Sequence, residues 1–300
     1  MTNTDQTAIF GPMRLPFLVL PPACVALGAG TAAWSGSKIN LLYLCLAFVG
    51  AVSAHISVNA LNEYDDFKSG LDFHTQRTPF SGGSGSLPAK PDKAHVALIT
   101  GMISLAITAL IGIYFMYIRG LGLLPLGLLG LLLIVAYTRW LTRNPFLCLI
   151  APGLGFGPLM VMGTDFVLTG AYSWTSFVAS LVPFFLVSDL LLLNQFPDVE
   201  ADKRIGRHHL PIAIGKEASV KVYGAFLAAA YLAIIAGYLA GVLPLASLAA
   251  LVSIVLAIST VKGAARYAGD IPKLIPYMGR NVVINIATPV LLAISLFVVS

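Results

Sequence analysis

Long apolar stretches recur along the whole chain and are separated by short breaks rich in charged residues, glycine or proline. A helix needs about 20 mainly apolar residues to cross the hydrocarbon core of a bilayer, because each residue advances it by about 1.5 Å. The pattern predicts nine membrane-spanning helices, over residues 15–35, 40–62, 95–118, 121–141, 146–168, 174–195, 217–240, 243–261 and 277–299. We therefore expect an all-α, polytopic membrane protein that forms one domain over residues 1–300.

The composition supports a membrane protein and argues against several other functions. Of the 300 residues, 58% are hydrophobic and only 10% are charged, whereas a soluble domain carries about 25% charged residues. Cys24, Cys45 and Cys148 are scattered within apolar stretches, so neither a disulfide framework nor a zinc site is expected. No basic–aromatic nucleic-acid motif accompanies the net charge of +5.

The basic residues concentrate in alternate loops. With a cytoplasmic N-terminus, all of the 18 lysines and arginines except Lys38 and Arg119 fall in cytoplasmic loops. Such an asymmetry follows the positive-inside rule. We therefore expect an integral membrane protein, in the plasma membrane of a prokaryote, whose N-terminus and longest loops are cytoplasmic.

Two acidic clusters follow apolar segments on this predicted cytoplasmic face. The first reads NALNEYDDFKSGLD from Asn59, and the second reads NQFPDVEADKRIGRHH from Asn194. Both contain an Asn-x-x-x-Asp spacing, and positions four apart share one face of a helix. The separation of 132 residues between the two motifs suggests two pseudo-repeated halves that face a shared site. The candidate oxygen ligands are Asn62, Asp66, Asp72, Asn194, Asp198 and Asp202.

Oxygen ligands without paired histidines or cysteines suit Mg²⁺, which prefers carboxylates, waters and substrate phosphates. Basic residues beside these acids suit a diphosphate, because they neutralise the part of the phosphate charge that the metal ion does not. The alternative is a pair of solvated loops whose acids cap helix ends. Acids at a helix C-terminus oppose the macrodipole, however, and two clusters of matching spacing on one membrane face favour a functional site. The neighbouring bases are Lys68, Arg77, Lys203 and Arg207.

The paired clusters resemble the aspartate-rich motifs of the UbiA superfamily of intramembrane prenyltransferases. The resemblance covers most of the chain, with motifs after the second and sixth apolar segments and YTRWLTRNPF after the fourth. Glu63 stands where the 1,4-dihydroxy-2-naphthoate branch usually has aspartate. That branch is nevertheless the nearest, through Asn59, Asn62, Tyr64, Asp66, Gly70 and Asp72.

The resemblance implies a helical bundle around a central cavity that opens sideways to lipid. It also implies a Mg²⁺-dependent transfer of a polyprenyl group from its diphosphate to an aromatic acceptor, in quinone or lipid biosynthesis. The implied metal ligands are Asn62, Asp66, Asn194, Asp198 and Asp202, and the implied catalytic set is Asn62, Asp66, Asp72, Asp198 and Asp202. The implied diphosphate-binding residues are Lys68, Arg77, Arg139, Lys203 and Arg207. Candidate aromatic faces for an allylic cation are Tyr64, Phe67, Tyr137 and Phe156.

A polar stripe extends from the first motif into the predicted membrane helix. His55, Asn59, Asn62 and Asp66 lie within about 60° on a helical wheel. Such a stripe must face protein or a watery cavity, because lipid offers no hydrogen-bond partner. His55 is expected about 16 Å deeper than Asp66, either in an acceptor site or bonded as a neutral imidazole to a neighbouring helix. The other expected acceptor-binding residues are Asn59, Tyr137, Asn281 and Asn285. The two asparagines of the last helix share one face with Thr288 and are expected either to line the cavity or to bond across helices.

Several features remain outside this assignment. Asp189 is an intramembrane acid on a different face from Asn194, and no role is assigned to it. The stretch SGGSGS at 81–86 lacks the Gly-Lys-Ser/Thr of a P-loop and is expected to be a flexible hinge, with a phosphate-binding nest as the alternative. The stretch GLGFGP at 153–158 predicts close helix packing. His208 and His209 are expected at the surface.

Three other functions compete with transfer to a naphthoate. A related enzyme of the same superfamily would cyclise the prenyl diphosphate without an acceptor, but polar residues deeper in the cavity argue against it. Another branch would use a 4-hydroxybenzoate, a chlorophyll or haem precursor, or a glyceryl phosphate as acceptor. A transporter would place its ionisable groups near the membrane midplane, whereas these clusters are predicted at one membrane surface.

Overall fold

The computed structural model describes residues 10–300, and within that range the chain contains helices and no strand. Three short helices, Ser86–Ala89, Val199–Arg204 and Leu210–Ile214, lie in the loops that follow α2 and α6. The long helices, in chain order, are α1 (Leu20–Trp34), α2 (Leu41–Ser69), α3 (Ala94–Arg119), α4 (Leu124–Ala136), α5 (Pro145–Thr169), α6 (Trp174–Asn194), α7 (Lys216–Leu239), α8 (Leu245–Tyr267) and α9 (Ile271–Val298).

The number of membrane spans is smaller than the sequence pattern predicts. Seven helices in the described part of the chain are long and apolar enough to cross a bilayer, and an eighth is formed if the bent pair Phe10–Phe17 and Leu20–Trp34 is one span. The apolar helix Leu121–Ala136 is shorter than a full span. The all-helical membrane fold is therefore confirmed, and the count of nine spans is not.

Helix boundaries follow local capping chemistry. The side chain of Asn40 accepts a hydrogen bond from the Tyr43 N–H and caps α2, and Ser173 caps α6 in the same way. Helix α2 ends at Gly70, whose φ of 80° is left-handed and therefore suits glycine. The first acidic motif thus lies within the last turns of α2, on one continuous helix.

Close packing of α5 on α6 depends on two glycines spaced four apart. A Cβ at Gly153 would lie 2.2 Å from the carbonyl oxygen of Phe184, and one at Gly157 would lie 2.4 Å from that of Ser180. Only residues without a side chain allow the two backbones to approach this closely. The predicted close packing through GLGFGP is confirmed. Gly157 and Pro158 lie in a π-helical segment of α5, Gly155–Met162.

The core is divided unequally between the two ends of the bundle. One large cluster of buried side chains joins α1, α5, α6, α7, α8 and α9, and a smaller one, which includes Phe115 and Leu123, joins α1, α3 and α5. Helix α4 lies largely outside both, since only Ala136 of its residues is buried. A central cavity lies between this thinly packed helix and the rest of the bundle.

Candidate functional site

The central cavity has a volume of about 580 Å³ and is polar at one end only. Its apolar wall is formed by residues of α2, α3, α4 and α5, including Ala47, Ile111, Leu131 and Leu159. Its polar end contains every oxygen ligand that the sequence predicts, namely Asn62, Asp66, Asp72, Asn194, Asp198 and Asp202. The two motifs, far apart in sequence, therefore contribute to one site.

Arg207 joins the two acidic motifs. Its guanidinium forms ion pairs with Asp66 of the first motif and with Asp202 of the second, the latter with Nη1 2.9 Å from Oδ1. Burial alone would lower the pKa of Arg207, but the charges of Asp66 and Asp202 raise it above its ordinary value. The guanidinium is thus a fixed positive charge at the centre of the polar end.

The second motif does not form the single helix that its spacing predicts. Helix α6 ends at Asn194, and a turn that contains Pro197 separates it from the short helix Val199–Arg204. Proline has no N–H to donate and its ring disfavours a continuing helix. Asn194, Asp198 and Asp202 still reach the same cavity, because the turn redirects the chain across its polar end.

Burial perturbs two of the acids. The pKa of Asp72 is raised to about 7, first by burial and then by the negative charges of Glu63 and Asp66. The pKa of Asp198 is also raised to about 7, by burial and by the charge of Asp202. A cation bound beside these carboxyls would restore their ionised form.

Three oxygens at the polar end fit a hard cation. Asp72 Oδ2, Asn194 Oδ1 and Asp198 Oδ1 are buried and have no hydrogen-bond partner among the described residues. Unpartnered buried oxygens are costly, and carboxylate and amide oxygens are the ligands that Mg²⁺ accepts. The described residues hold no ready-made cluster of three His, Cys, Asp or Glu ligands. The donor set therefore fits a hard cation such as Mg²⁺ that takes its remaining ligands from outside the protein.

Of the predicted diphosphate-binding residues, only Arg207 lines the cavity. Arg139 is largely exposed and forms a bidentate ion pair with Asp65, at 3.0 and 2.9 Å, because Asp65 lies about 100° around α2 from Asp66. Lys68 is exposed beside the ring of Tyr64. The structure thus places four of the five predicted bases outside the cavity lining: Lys68, Arg77, Arg139 and Lys203.

The predicted acceptor residues divide into two groups. His55, Asn59 and Tyr137 line the cavity, and the His55 ring meets Phe156 edge-on with centroids 4.9 Å apart. His55 Nδ1 is buried without a partner among the described residues. Of the four candidate aromatic residues, Tyr137 and Phe156 face the cavity, whereas Tyr64 and Phe67 do not.

Asn281 and Asn285 do not line the cavity, contrary to the prediction. Both are buried in the packing of α9, and Asn285 Nδ2 donates to the backbone oxygen of Asn281 at 3.0 Å. Thr288 on the same helix bonds to Ser253 of α8, with 2.8 Å between the hydroxyl oxygens. A polar stripe on a membrane helix can serve helix packing as well as a cavity, and in α9 it does the former.

Several residues of the site escape the sequence-based prediction. Arg14 lines the cavity, although charge patterning assigns it only a topological role. His209, predicted at the surface, is 1% exposed, with Nε2 3.0 Å from Asp202 Oδ2. The SGGSGS stretch lies against the first motif, and its three glycines adopt left-handed φ angles of 82°, 72° and 75°. The signal in the sequence that could have assigned this loop to the site is its short distance from the first motif.

Comparison with known proteins identifies a family model and sequence relatives whose descriptions agree with one another. A model of the UbiA prenyltransferase family matches residues 19–270. The 1,4-dihydroxy-2-naphthoate octaprenyltransferase of Bacillus subtilis is 29% identical over 198 residues, which cover 65% of this chain but only 62% of that protein. The protein of the same description from Mycobacterium tuberculosis is 28% identical over 238 residues, 79% of this chain and 76% of that one.

Solved structures share the fold. A UbiA homolog from Aeropyrum pernix superposes with a TM-score of 0.69 at 16% identity, over 90% of this chain and 94% of that one. A UbiA homolog from Archaeoglobus fulgidus, solved with DMAPP and Mg²⁺ bound, gives a TM-score of 0.64 at 15% identity, over 95% and 99% of the two chains. At these identities the likeness concerns the fold alone.

Proposed function

The chain belongs to the UbiA prenyltransferase family, and from this premise we propose that it transfers a polyprenyl group from its diphosphate to a 1,4-dihydroxy-2-naphthoate-like acceptor. Mg²⁺ is the proposed cofactor, and the active-site loops are proposed to face the cytoplasm. One observation carries the proposal: acids from both motifs and Arg207 meet at the polar end of a cavity that is otherwise apolar. The names of the similar proteins from Bacillus and Mycobacterium support the acceptor class.

The polar end is suited to a diphosphate. Asn62, Asp66, Asp72, Asn194, Asp198 and Asp202 are the residues that would hold Mg²⁺, which when bound supplies Lewis-acid stabilisation of the charge on the leaving diphosphate. Arg207 supplies a fixed positive charge at the same place. A preorganised cation in a buried site stabilises developing negative charge more strongly than it would in water.

The apolar wall is suited to the prenyl chain and to the cation that forms at its first carbon. Loss of the diphosphate leaves an allylic cation, which must be kept from water until the acceptor attacks it. Tyr137 and Phe156 line the cavity, and aromatic rings there would stabilise such a cation by cation–π contact. The membrane-buried cavity therefore keeps water away from the reactive carbon until the acceptor attacks it.

The acceptor is proposed to bind deeper than the diphosphate, beside Asn59 and His55. Asn59 lies one turn deeper on α2 than Asn62, and its Nδ2 donates to the Met13 carbonyl oxygen at 3.3 Å. The Nδ1 of His55, which has no partner among the described residues, would accept a hydrogen bond or a proton from an aromatic hydroxyl. The first residue would orient the acceptor and the second would hold the proton that the acceptor loses.

The decisive experiment incubates the purified protein with Mg²⁺, polyprenyl diphosphates of several lengths and a panel of acceptors, with products read by mass spectrometry. The expected result is a prenylated naphthoate that is absent when EDTA is added. A cyclic terpene formed without any acceptor would contradict the proposal, as would exclusive use of 4-hydroxybenzoate or a glyceryl phosphate.

A variant test separates the acceptor site from the diphosphate site. Asn59→Ala is expected to lower product formation by about 5- to 150-fold, because a polar group of the acceptor loses its partner. Release of diphosphate should fall less, since the metal-binding acids are intact. If diphosphate release falls in step with product, Asn59 belongs to the diphosphate site instead.

A further inference from the structure

Glu63 is completely buried beside the candidate metal ligands, yet both of its carboxylate oxygens are engaged by other parts of the protein. Oε1 accepts from Arg14 Nε at 2.9 Å and from the backbone N–H of Ser84 at 2.7 Å. Oε2 accepts from the Ser84 hydroxyl at 2.8 Å. Glu63 therefore joins three segments: α2, the N-terminal helix and the glycine-rich loop at 81–86.

Arg14 has an unusual backbone that this contact helps to hold. With φ 50° and ψ 55°, it is the one non-glycine residue with positive φ in the described part of the chain. It lies within the segment Phe10–Phe17, which is bent by 53° relative to Leu20–Trp34. Left-handed backbone is unfavourable for a residue with a side chain and persists only where its surroundings impose it. Arg14 lines the polar end of the cavity.

The glycine-rich loop lies against the first acidic motif. Gly82 and Gly83 line the cavity with φ of 82° and 72°. A Cβ at Gly83 would lie 3.0 Å from Asp72 Oδ1 and 3.4 Å from Glu63 Oε1, so the backbone lies directly on the first motif. Asp198 of the second motif lines the same cavity. Ser84, two residues after Gly82, is the point at which Glu63 holds this loop.

We propose that Glu63 is a positioning residue for diphosphate binding and not a metal ligand. Its carboxylate holds the Arg14 guanidinium and the backbone of Gly82 and Gly83 at the polar end of the cavity, where both present positive or N–H groups to the diphosphate. The ion pair uses Nε of Arg14, so within the described residues its terminal amino groups remain available to an anion. This inference rests on the proposed function, because it names the residues that complete the diphosphate site.

Binding of a non-reactive donor tests this role without turnover. The probe is farnesyl thiodiphosphate with Mg²⁺, titrated into the purified full-length protein, and the acceptor KM is measured separately by product formation. Glu63→Gln is expected to weaken binding of the probe by about tenfold or more, as for loss of a charge-assisted hydrogen bond, and to leave the acceptor KM within about twofold. Glu63→Asp, which keeps the charge but shortens the side chain, should weaken binding less.

Two further variants distinguish positioning from a contribution to folding. Arg14→Gln should also weaken binding, and adding Glu63→Gln to it should add only the severalfold effect of loosening the loop, because both substitutions disable the same guanidinium. Ser84→Ala keeps the ion pair and the backbone N–H bond and removes only the hydroxyl bond to Glu63 Oε2, so it is expected to weaken binding severalfold even where Glu63→Gln reduces the yield of folded protein. Glu217→Gln, at an exposed glutamate outside the cavity, is the matched control and should bind normally.

The outcomes separate this inference from the proposed function. A wild-type protein that does not bind the probe would overturn the proposed function and this inference with it. If the wild-type protein binds and Glu63→Gln binds equally well, only the positioning role is overturned. If Glu63→Gln weakens probe binding and raises the acceptor KM by the same factor, and also lowers the melting temperature, Glu63 has a purely structural role. That result also overturns the proposal.

Discussion

At the scale of single residues, the site combines neutralised and unneutralised acids. Asp66 and Asp202 share the Arg207 guanidinium, whereas Asp72 Oδ2 and Asp198 Oδ1 are buried without a hydrogen-bond partner among the described residues. A buried carboxylate without a partner is unfavourable. The last two acids are therefore the ones whose charge a bound cation would stabilise most.

Asp198→Asn should nearly abolish prenyl transfer while the protein stays folded. The substitution keeps the shape of the side chain but removes the negative charge that would hold Mg²⁺. Activity is measured across a Mg²⁺ titration, and folding by melting temperature in detergent. Asp92→Asn, at an exposed aspartate, is the control. Near-normal activity of Asp198→Asn at saturating Mg²⁺ would exclude Asp198 from the metal site.

Mg²⁺ binding should weaken as the pH falls below about 7. Asp72 and Asp198 have pKa values raised to about 7, chiefly by burial, so at lower pH Mg²⁺ must displace a proton from each. Affinity should fall by about tenfold per pH unit for each proton displaced. Calorimetric titration at pH 6 and pH 8 measures this directly, and an affinity that does not change would argue that neither acid binds the metal.

The same two shifts set the pH dependence of stability without metal. Both folded-state pKa values lie above the ordinary value of 3.8, so the folded protein binds protons more tightly than the unfolded chain. The stabilisation is complete below about pH 4 and is lost as the pH rises through about 7. Added Mg²⁺ should therefore raise the melting temperature more at pH 8 than at pH 6.

At the scale of secondary-structure elements, the cavity is built where helices are interrupted. The N-terminal segment Phe10–Phe17 is bent relative to Leu20–Trp34, α6 stops before Pro197, and α5 contains the π-helical segment Gly155–Met162, which includes Phe156. Interruptions of a regular helix free backbone groups and redirect side chains, and π-helical turns are frequent at functional sites. Regular helices supply the wall, and their breaks supply the polar end.

Gly157→Ala should lower the thermal stability of the protein. The added methyl group would lie 2.4 Å from the Ser180 carbonyl oxygen of α6, and relieving the overlap requires separation of two packed helices, at a cost of about 1–3 kcal/mol. The melting temperature of the purified protein measures the effect.

Gly155→Ala provides a control on the same helix. A Cβ at Gly155 meets no atom within 4 Å, so this variant should be at least as stable as the wild-type protein, since alanine favours a helix more than glycine does. Equal stability of the two variants would mean that α5 and α6 are not packed as the structure describes.

At the scale of the whole molecule, the cavity crosses most of the membrane thickness. Along α2 its lining extends from Asp66 to Ala47, a distance of about 28 Å for 19 residues at 1.5 Å each. Phe115 and Leu123, from the smaller buried cluster, line the far end. The diphosphate and the tail of a prenyl chain would thus occupy opposite ends of one continuous space.

The cavity depth predicts how donor affinity depends on chain length. An isoprenoid unit has four main-chain bonds of about 1.5 Å and extends about 5 Å, so about five units fit within the cavity. The KM for the donor should fall as the chain grows from two to about five units and change little from five to eight. Steady-state kinetics with a length series measures this. A KM that is lowest for two units would show that the deep part of the cavity is not used.

The sequence by itself determined that the protein lies in a membrane and which chemistry its site supports. A bilayer requires apolar segments of a certain length, and such segments can be read directly from the sequence. The family could be recognised from the two motifs, and the match to the family model agrees with them. The spacing of Asn62 and Asp66 placed both on one face because α2 is a continuous helix there. The same rule was insufficient after Asn194, where Pro197 ends the helix and the cavity is reached through a turn.

Only the tertiary structure decided which polar residues around these motifs reach the cavity. Arg14 and the glycine-rich loop come to the site through Glu63, whereas Arg139 pairs with Asp65 and Asn281 packs within the bundle. A soluble helix marks its inner face by amphipathicity. In a membrane, lipid and protein interior are both apolar, so the rotation of each helix is set by packing against distant segments, and a linear sequence carries little trace of it.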